Sequence, residues 1–88
     1  MDLRQLQSFV SVVRCESFTR AAEVLGVSQP TISTHLRALE EELGTTLVLR
    51  GARRVELTPQ GARVFEQASS MLALRDRLLE DARSRERN

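Results

Sequence analysis

Lysine, tryptophan and tyrosine are missing from this chain, and cysteine and histidine occur once each. A single thiol closes no internal disulfide, and with one imidazole beside it no four-ligand zinc site can be assembled. Three phenylalanines are the only aromatics, 3% of the sequence, too few to stack the bases of a single-stranded nucleic acid. No apolar run approaches membrane-spanning length, and the opening MDLRQLQ lacks the apolar stretch of a signal peptide, so the cytoplasm is the expected compartment and no membrane partner is expected. An excess of one charge is lacking too. The formal net charge is +1, so any attraction to a polyanion must come from local clustering. With 88 residues the chain makes one modest core, too small to wall a buried active site, and it carries no convergent catalytic set. An enzyme is not expected, nor a cofactor.

What is present is a globular fraction of apolar residues, 41%, and thirteen basic residues that are all arginine. The arginine bias reads first as the codon usage of a GC-rich genome, although guanidinium forks also suit phosphate and guanine. Leu3, Leu6, Phe9, Val10 and Val13 recur at helical spacing and predict an amphipathic scaffold helix from Asp2 to about Arg14.

The stretch SFTRAAEVLGVSQPTISTHLR, Ser17 to Arg37, predicts two helices joined by a tight turn. The first runs from Phe18 or Thr19 to Leu25, with Ser17 or Thr19 as its cap and Ala21, Ala22 and Leu25 as its apolar face. Gly26 suits a left-handed turn, and Val27 is expected to plug the corner. Ser28 then caps a helix from Gln29 to Leu43 that tolerates Pro30 in its first turn and stops at Gly44. Ile32, Leu36, Leu39 and Leu43 form its buried stripe, while Pro30, Thr34, Arg37 and Glu41 face outward.

Beyond Gly44 the period becomes two. Leu47 and Leu49 alternate with Thr46 and Val48, GARR interrupts, and Val55 and Leu57 alternate with Glu56, which predicts a short hairpin with a basic tip. Arg53 and Arg54 are placed for phosphates or a minor groove, and Arg50 is placed instead to tie the hairpin to the body.

Thr58-Pro59 opens a last helix in which Gly61 calls for a close approach by another element. From Arg63 to about Arg85 runs an uninterrupted helix of roughly 25 residues, or ~37 Å, more than so small a body can cover. Two heptad frames fit it. One passes through Val64, Ala68, Met71, Leu78 and Ala82, the other through Phe65, Ala68, Leu72, Leu79 and Ala82, each broken by Arg75. The broad apolar face suits packing on the chain's own domain and on a partner helix. The fold expected is therefore mainly α: a winged helix-turn-helix with a three-helix core and a two-stranded β wing over residues 1–58, followed by a long linker and dimerisation helix over residues 59–88.

In order and spacing, LRQLQSFV, SFTRAAEVLGVSQPTIS, LRALEEELGTTL and VELTPQG resemble the opening helix, helix-turn-helix, end of the recognition helix and wing exit of the DNA-binding domain of LysR-type transcriptional regulators. The resemblance implies sequence-specific binding of double-stranded DNA by a bacterial regulator. It also implies a homodimer through antiparallel linker helices, on an imperfect inverted repeat of T-to-A type. Family proteins are usually about three times longer, with an effector domain that would take a small molecule and contribute to tetramers. The resemblance thus implies a fragment ending near the inter-domain hinge. Three positions depart from the family pattern: Glu16 stands where glycine is common, Val48 where phenylalanine is usual, and Thr34 at a position often held by arginine.

In such a motif the first half of the recognition helix enters the major groove. Gln29 can pair with adenine, Pro30 and Thr31 can meet a thymine methyl, and Ser33, Thr34 and Arg37 can reach bases or phosphates. Ser28 acts mainly as the cap at the edge of this set, and Arg20 is a candidate phosphate clamp. The acidic run Glu40 to Glu42 would repel phosphates and restrict contact to the helix's leading end. His35 reads as a solvated or partner-contacting side chain, and Cys15 as a packed or half-exposed thiol. The rival reading is a winged-helix interaction module without sequence-specific DNA binding; the polar character of Gln29, Ser33, Thr34 and Arg37 weighs against it.

Overall fold

The computed structural model describes residues 1–50 and 54–86, with side-chain surroundings through residue 84. Helices α1 (Leu3–Cys15), α2 (Phe18–Leu25) and α3 (Gln29–Leu43) are followed by strands β1 (Val48–Leu49) and β2 (Glu56–Leu57) and a long helix α4 (Pro59–Glu86). The mainly helical, winged arrangement anticipated above is the one observed.

The first three helices start and stop by the same chemistry. Asp2, Ser17 and Ser28 lie in extended backbone and accept from the N–H groups of Gln5, Arg20 and Thr31, satisfying donors that have no intrahelical acceptor. Each helix then ends on a left-handed residue, Glu16 (φ 53°), Gly26 (φ 69°) or Gly44 (φ 70°), whose N–H returns to the last turn. Glu16 thus adopts, with a Cβ, the conformation that glycine takes freely.

Leu6, Phe9, Val10 and Val12 of α1, Ala21 and Ala22 of α2, and Ile32, Leu36 and Leu39 of α3 form the core with Leu47, Val48 and Ala68. Two expectations fail at its rim. Val27 does not plug the corner, being 39% exposed; its backbone closes the turn instead, donating to Ala22 O at 3.0 Å. Leu43 is 40% exposed, because the apolar stripe of α3 outruns its cover in the final turn.

The wing is shorter than its alternation suggests. Strands β1 and β2 pair antiparallel, Val48 with Leu57 and Leu49 with Glu56. Leu47 and Val48 are both buried and Leu49 is exposed, so the expected face is broken. The cause is that Leu47 lies outside the ladder: its N–H donates to Glu40 Oε2 at 2.8 Å and its carbonyl accepts from Thr58 N at 3.0 Å. Gly61 explains itself at the same point. A Cβ there would fall 2.1 Å from the Leu47 carbonyl oxygen, so only glycine lets α4 pass the Leu47 backbone so closely.

Helix α4 belongs to the core in its first half. Val64, Phe65 and Leu72 pack against it, Ala68 is buried within it, and the Phe65 ring meets Phe9 edge-on with centroids 6.3 Å apart. The core therefore runs across the division drawn between residues 58 and 59. Beyond Leu72 the helix leaves the body, giving a molecule of 51 × 25 × 19 Å.

Candidate nucleic-acid interface

The outward side of α3 is built by what its inward side must do. Ile32, Leu36 and Leu39 are fully buried, which turns Gln29, Pro30, Thr34 and Arg37 to solvent and leaves Thr31 and Ser33 half-buried at the margins. Ser28 is occupied as the cap: its Oγ accepts from Thr31 N at 3.2 Å and lies 2.8 Å from Thr31 Oγ1, so both hydroxyls are engaged locally. Thr19 Oγ1 of α2 donates to Gln29 Oε1 at 3.2 Å. This bond brings the first turns of α2 and α3 together, so Arg20, exposed and next in sequence to Thr19, lies beside the leading end of α3. Arg54 is exposed on the wing, whereas Arg53 falls outside the described residues.

The acidic run is not uniform. Glu40 turns inward, where its carboxylate accepts from Leu47 N, from Val48 N at 3.3 Å and from Arg50 Nη2 at 2.9 Å. The Arg50 guanidinium in turn lies over the Phe18 ring, 5.8 Å from its centroid. One carboxylate therefore joins recognition helix and wing, and its arginine reaches back to α2, as the placement of Arg50 predicted. Glu42 meets the N-terminal amine. Only Glu41 among the three is an exposed carboxylate without such a partner in the described residues.

His35 is half-buried and bonded within its own chain. Its Nδ1 lies 2.7 Å from the buried Ser8 Oγ, which links α3 to α1. A cleft of about 190 Å³ opens beside this pair, lined by Arg4, Gln7, Leu25 and Val27. Cys15 is half-buried and free. Among the described residues no group of His, Cys, Asp and Glu is arranged to hold a metal ion, and no helix is long and apolar enough to cross a membrane.

The eight residues expected to pair α4 with a partner divide into two sets. Val64, Phe65, Ala68 and Leu72 are already engaged by the chain's own core. Met71, Leu78, Leu79 and Ala82 are exposed. Leu74, 64% exposed, lies in neither heptad frame. Met71, Leu74 and Leu78 stand at i, i+3 and i+7, an exposed apolar stripe that passes beside Arg75. With Leu3 and the stem of Arg75 these three line a groove of about 470 Å³.

Three helices, a tight turn and a two-stranded wing define the winged helix-turn-helix class. A family model described as bacterial regulatory helix-turn-helix protein, lysR family, matches residues 3–62, and the chain belongs to that family. It is 52% identical over 83 residues to the HTH-type transcriptional regulator BudR of Klebsiella aerogenes, covering 94% of this chain and 58% of BudR. It is 43% identical over 79 residues to the regulator BenM of Acinetobacter baylyi, covering 90% of this chain and 26% of BenM. The chain thus spans only part of the length of the curated relatives it matches. Among solved structures, the BenM DBD in complex with catB site 1 DNA superposes with a TM-score of 0.91 at 40% identity, covering 96% of this chain and 93% of that one. The CbnR DBD in its DNA complex superposes with a TM-score of 0.87 at 38% identity, covering 96% and 97%.

Proposed function

We propose that this chain binds double-stranded DNA sequence-specifically, as the DNA-binding domain of a bacterial transcriptional regulator acting in the cytoplasm. The observation that carries the proposal is the leading half of α3, which offers Gln29, Pro30, Thr34 and Arg37 to solvent from a helix anchored by Ile32, Leu36 and Leu39. Hydrogen-bonding side chains on a rigid convex helix suit a major groove, where every base pair has its own donor and acceptor pattern. Arg20 and Arg54 flank that helix as phosphate contacts, which orient without reading sequence. The DNA complexes of the BenM and CbnR domains, alike in fold and similar in sequence, support the same reading.

The chain acts as a dimer on an imperfect inverted repeat, with α4 as the pairing helix and its exposed residues as the seam. Two recognition helices related by a twofold axis read two half-sites, and the distance between them follows from the dimer.

Selection of bound duplexes from a random pool, followed by affinity measurements on the selected site, tests the proposal. Gln29→Ala and Arg37→Ala should each weaken the selected site by ~1–3 kcal/mol and relax preference at a base pair. Arg54→Ala should weaken all duplexes alike and reduce the slope of log K against log salt by about 1. Failure of the pool to converge on any sequence, with the folded protein, would reject sequence-specific binding.

A further inference from the structure

We infer that Thr19 is a positioning residue for base recognition by Gln29 and through it a determinant of specificity. The inference rests on the reading of Gln29 as a base contact. Thr19 Oγ1, on the second residue of α2, donates to Oε1 of Gln29, the first residue of α3, at 3.2 Å. Both side chains are exposed, so the bond lies on the solvent side of the motif. The two partners differ in stiffness. Threonine is branched at Cβ and sits in the first turn of a helix capped by Ser17, whereas glutamine has three rotatable side-chain bonds and, among the described residues, no side-chain hydrogen bond other than the one to Thr19.

With the hydroxyl donating to Oε1, the bond sets the chemistry presented. A carboxamide accepts at Oε1 through two lone pairs and donates twice from Nε2. A hydroxyl donating to Oε1 occupies one lone pair and leaves the other, with both Nε2 hydrogens, available. That is the set required by the major-groove edge of adenine, whose N7 accepts and whose N6 amino group donates. Rotation of the amide by half a turn would make Nε2 donate to the Thr19 hydroxyl and exchange the positions of donor and acceptor offered to a base. Holding the side chain before DNA arrives also reduces the ordering cost of the contact.

Thr19→Val preserves the shape and removes the hydroxyl; Thr19→Ser restores it. Affinities of each variant for the duplex selected by the unaltered chain, and for its single base-pair substitutions, give a discrimination profile. Thr19→Val should lose about two- to tenfold of discrimination, the scale of one net hydrogen bond, at the base pair affected by Gln29→Ala and nowhere else. Its melting temperature should be unchanged, Thr19→Ser should recover the profile, and Thr19→Val should add nothing in a Gln29→Ala background. A uniform loss on all duplexes, or a loss that adds to that of Gln29→Ala, would make Thr19 an independent backbone contact and overturn the inference. Base-specific loss for Gln29→Ala with full discrimination in Thr19→Val overturns the positioning role alone. Uniform loss for Gln29→Ala overturns the base-contact reading, and the positioning role with it.

Discussion

At Glu16 a side chain occupies backbone that favours glycine, with φ at 53° at the end of α1. A left-handed conformation costs a residue with a Cβ roughly 1–2 kcal/mol, partly offset because glycine has more freedom to lose on folding. Glu16→Gly should therefore raise stability by about 0.5–1 kcal/mol, read as a higher denaturation midpoint with an unchanged slope. Asp2, at the other end of the same helix, carries a titratable cap. The Gln5 N–H holds its carboxyl below the usual 3.8, against desolvation and with lesser help from the charges of Arg4, His35 and the N-terminal amine. Because the folded-state pKa is the lower one, the cap's contribution is present above the unfolded value and disappears as pH falls through the folded value. The stability difference between the unaltered chain and Asp2→Ala should be present at neutral pH and vanish in acid, in denaturation curves taken across the carboxylate range.

Between elements, one carboxylate does what the sequence concealed. Glu40 read as part of an acidic surface run, yet it closes two backbone donors of the strand entry and the Arg50 guanidinium. Glu40→Ala strands these partners, and hydrogen bonds to a charged group are worth about 1.5–3 kcal/mol each; loss of stability of about 2–4 kcal/mol is expected in chemical denaturation. Periodicity could not have found this, because it reports which face is apolar and says nothing of a charged side chain folding back on the next segment. The same blindness explains His35, whose partner Ser8 is 27 positions away. Local signals served well where the cause was local: Ser28 before Gln29, Gly26 and Gly44 after their helices, and Thr58 before Pro59 all sit at the boundaries their chemistry demands. Gly61 was legible as an exception, and its reason needed the position of Leu47.

For the whole molecule the open question in the sequence was how α4 divides its apolar residues. Two overlapping stripes are compatible with two partners, and only the packed core shows that Val64, Phe65, Ala68 and Leu72 serve the chain itself. The proposed pairing therefore falls to residues further along. The double substitution Leu74→Glu with Leu78→Glu should give folded monomers in sedimentation equilibrium, with the melting transition preserved. Leu72→Glu should instead lower the melting transition whatever the state of association, since it introduces a charge beside the core. A dimeric mass retained by the double variant would remove α4 as the pairing helix.

Because α4 is anchored as far as Leu72 and continues as unbroken helix to Glu86, about 21 Å of it would act as a lever on that pivot. A tilt of only a few degrees at the pivot sweeps its tip through an ångström or two, and the same tilt, taken the other way, turns the recognition helix relative to whatever grips the tip. Any small repacking around Phe9 and Phe65 would thereby be geared up into a change of reach, with no glycine or loop between Leu72 and Glu86 to dissipate it.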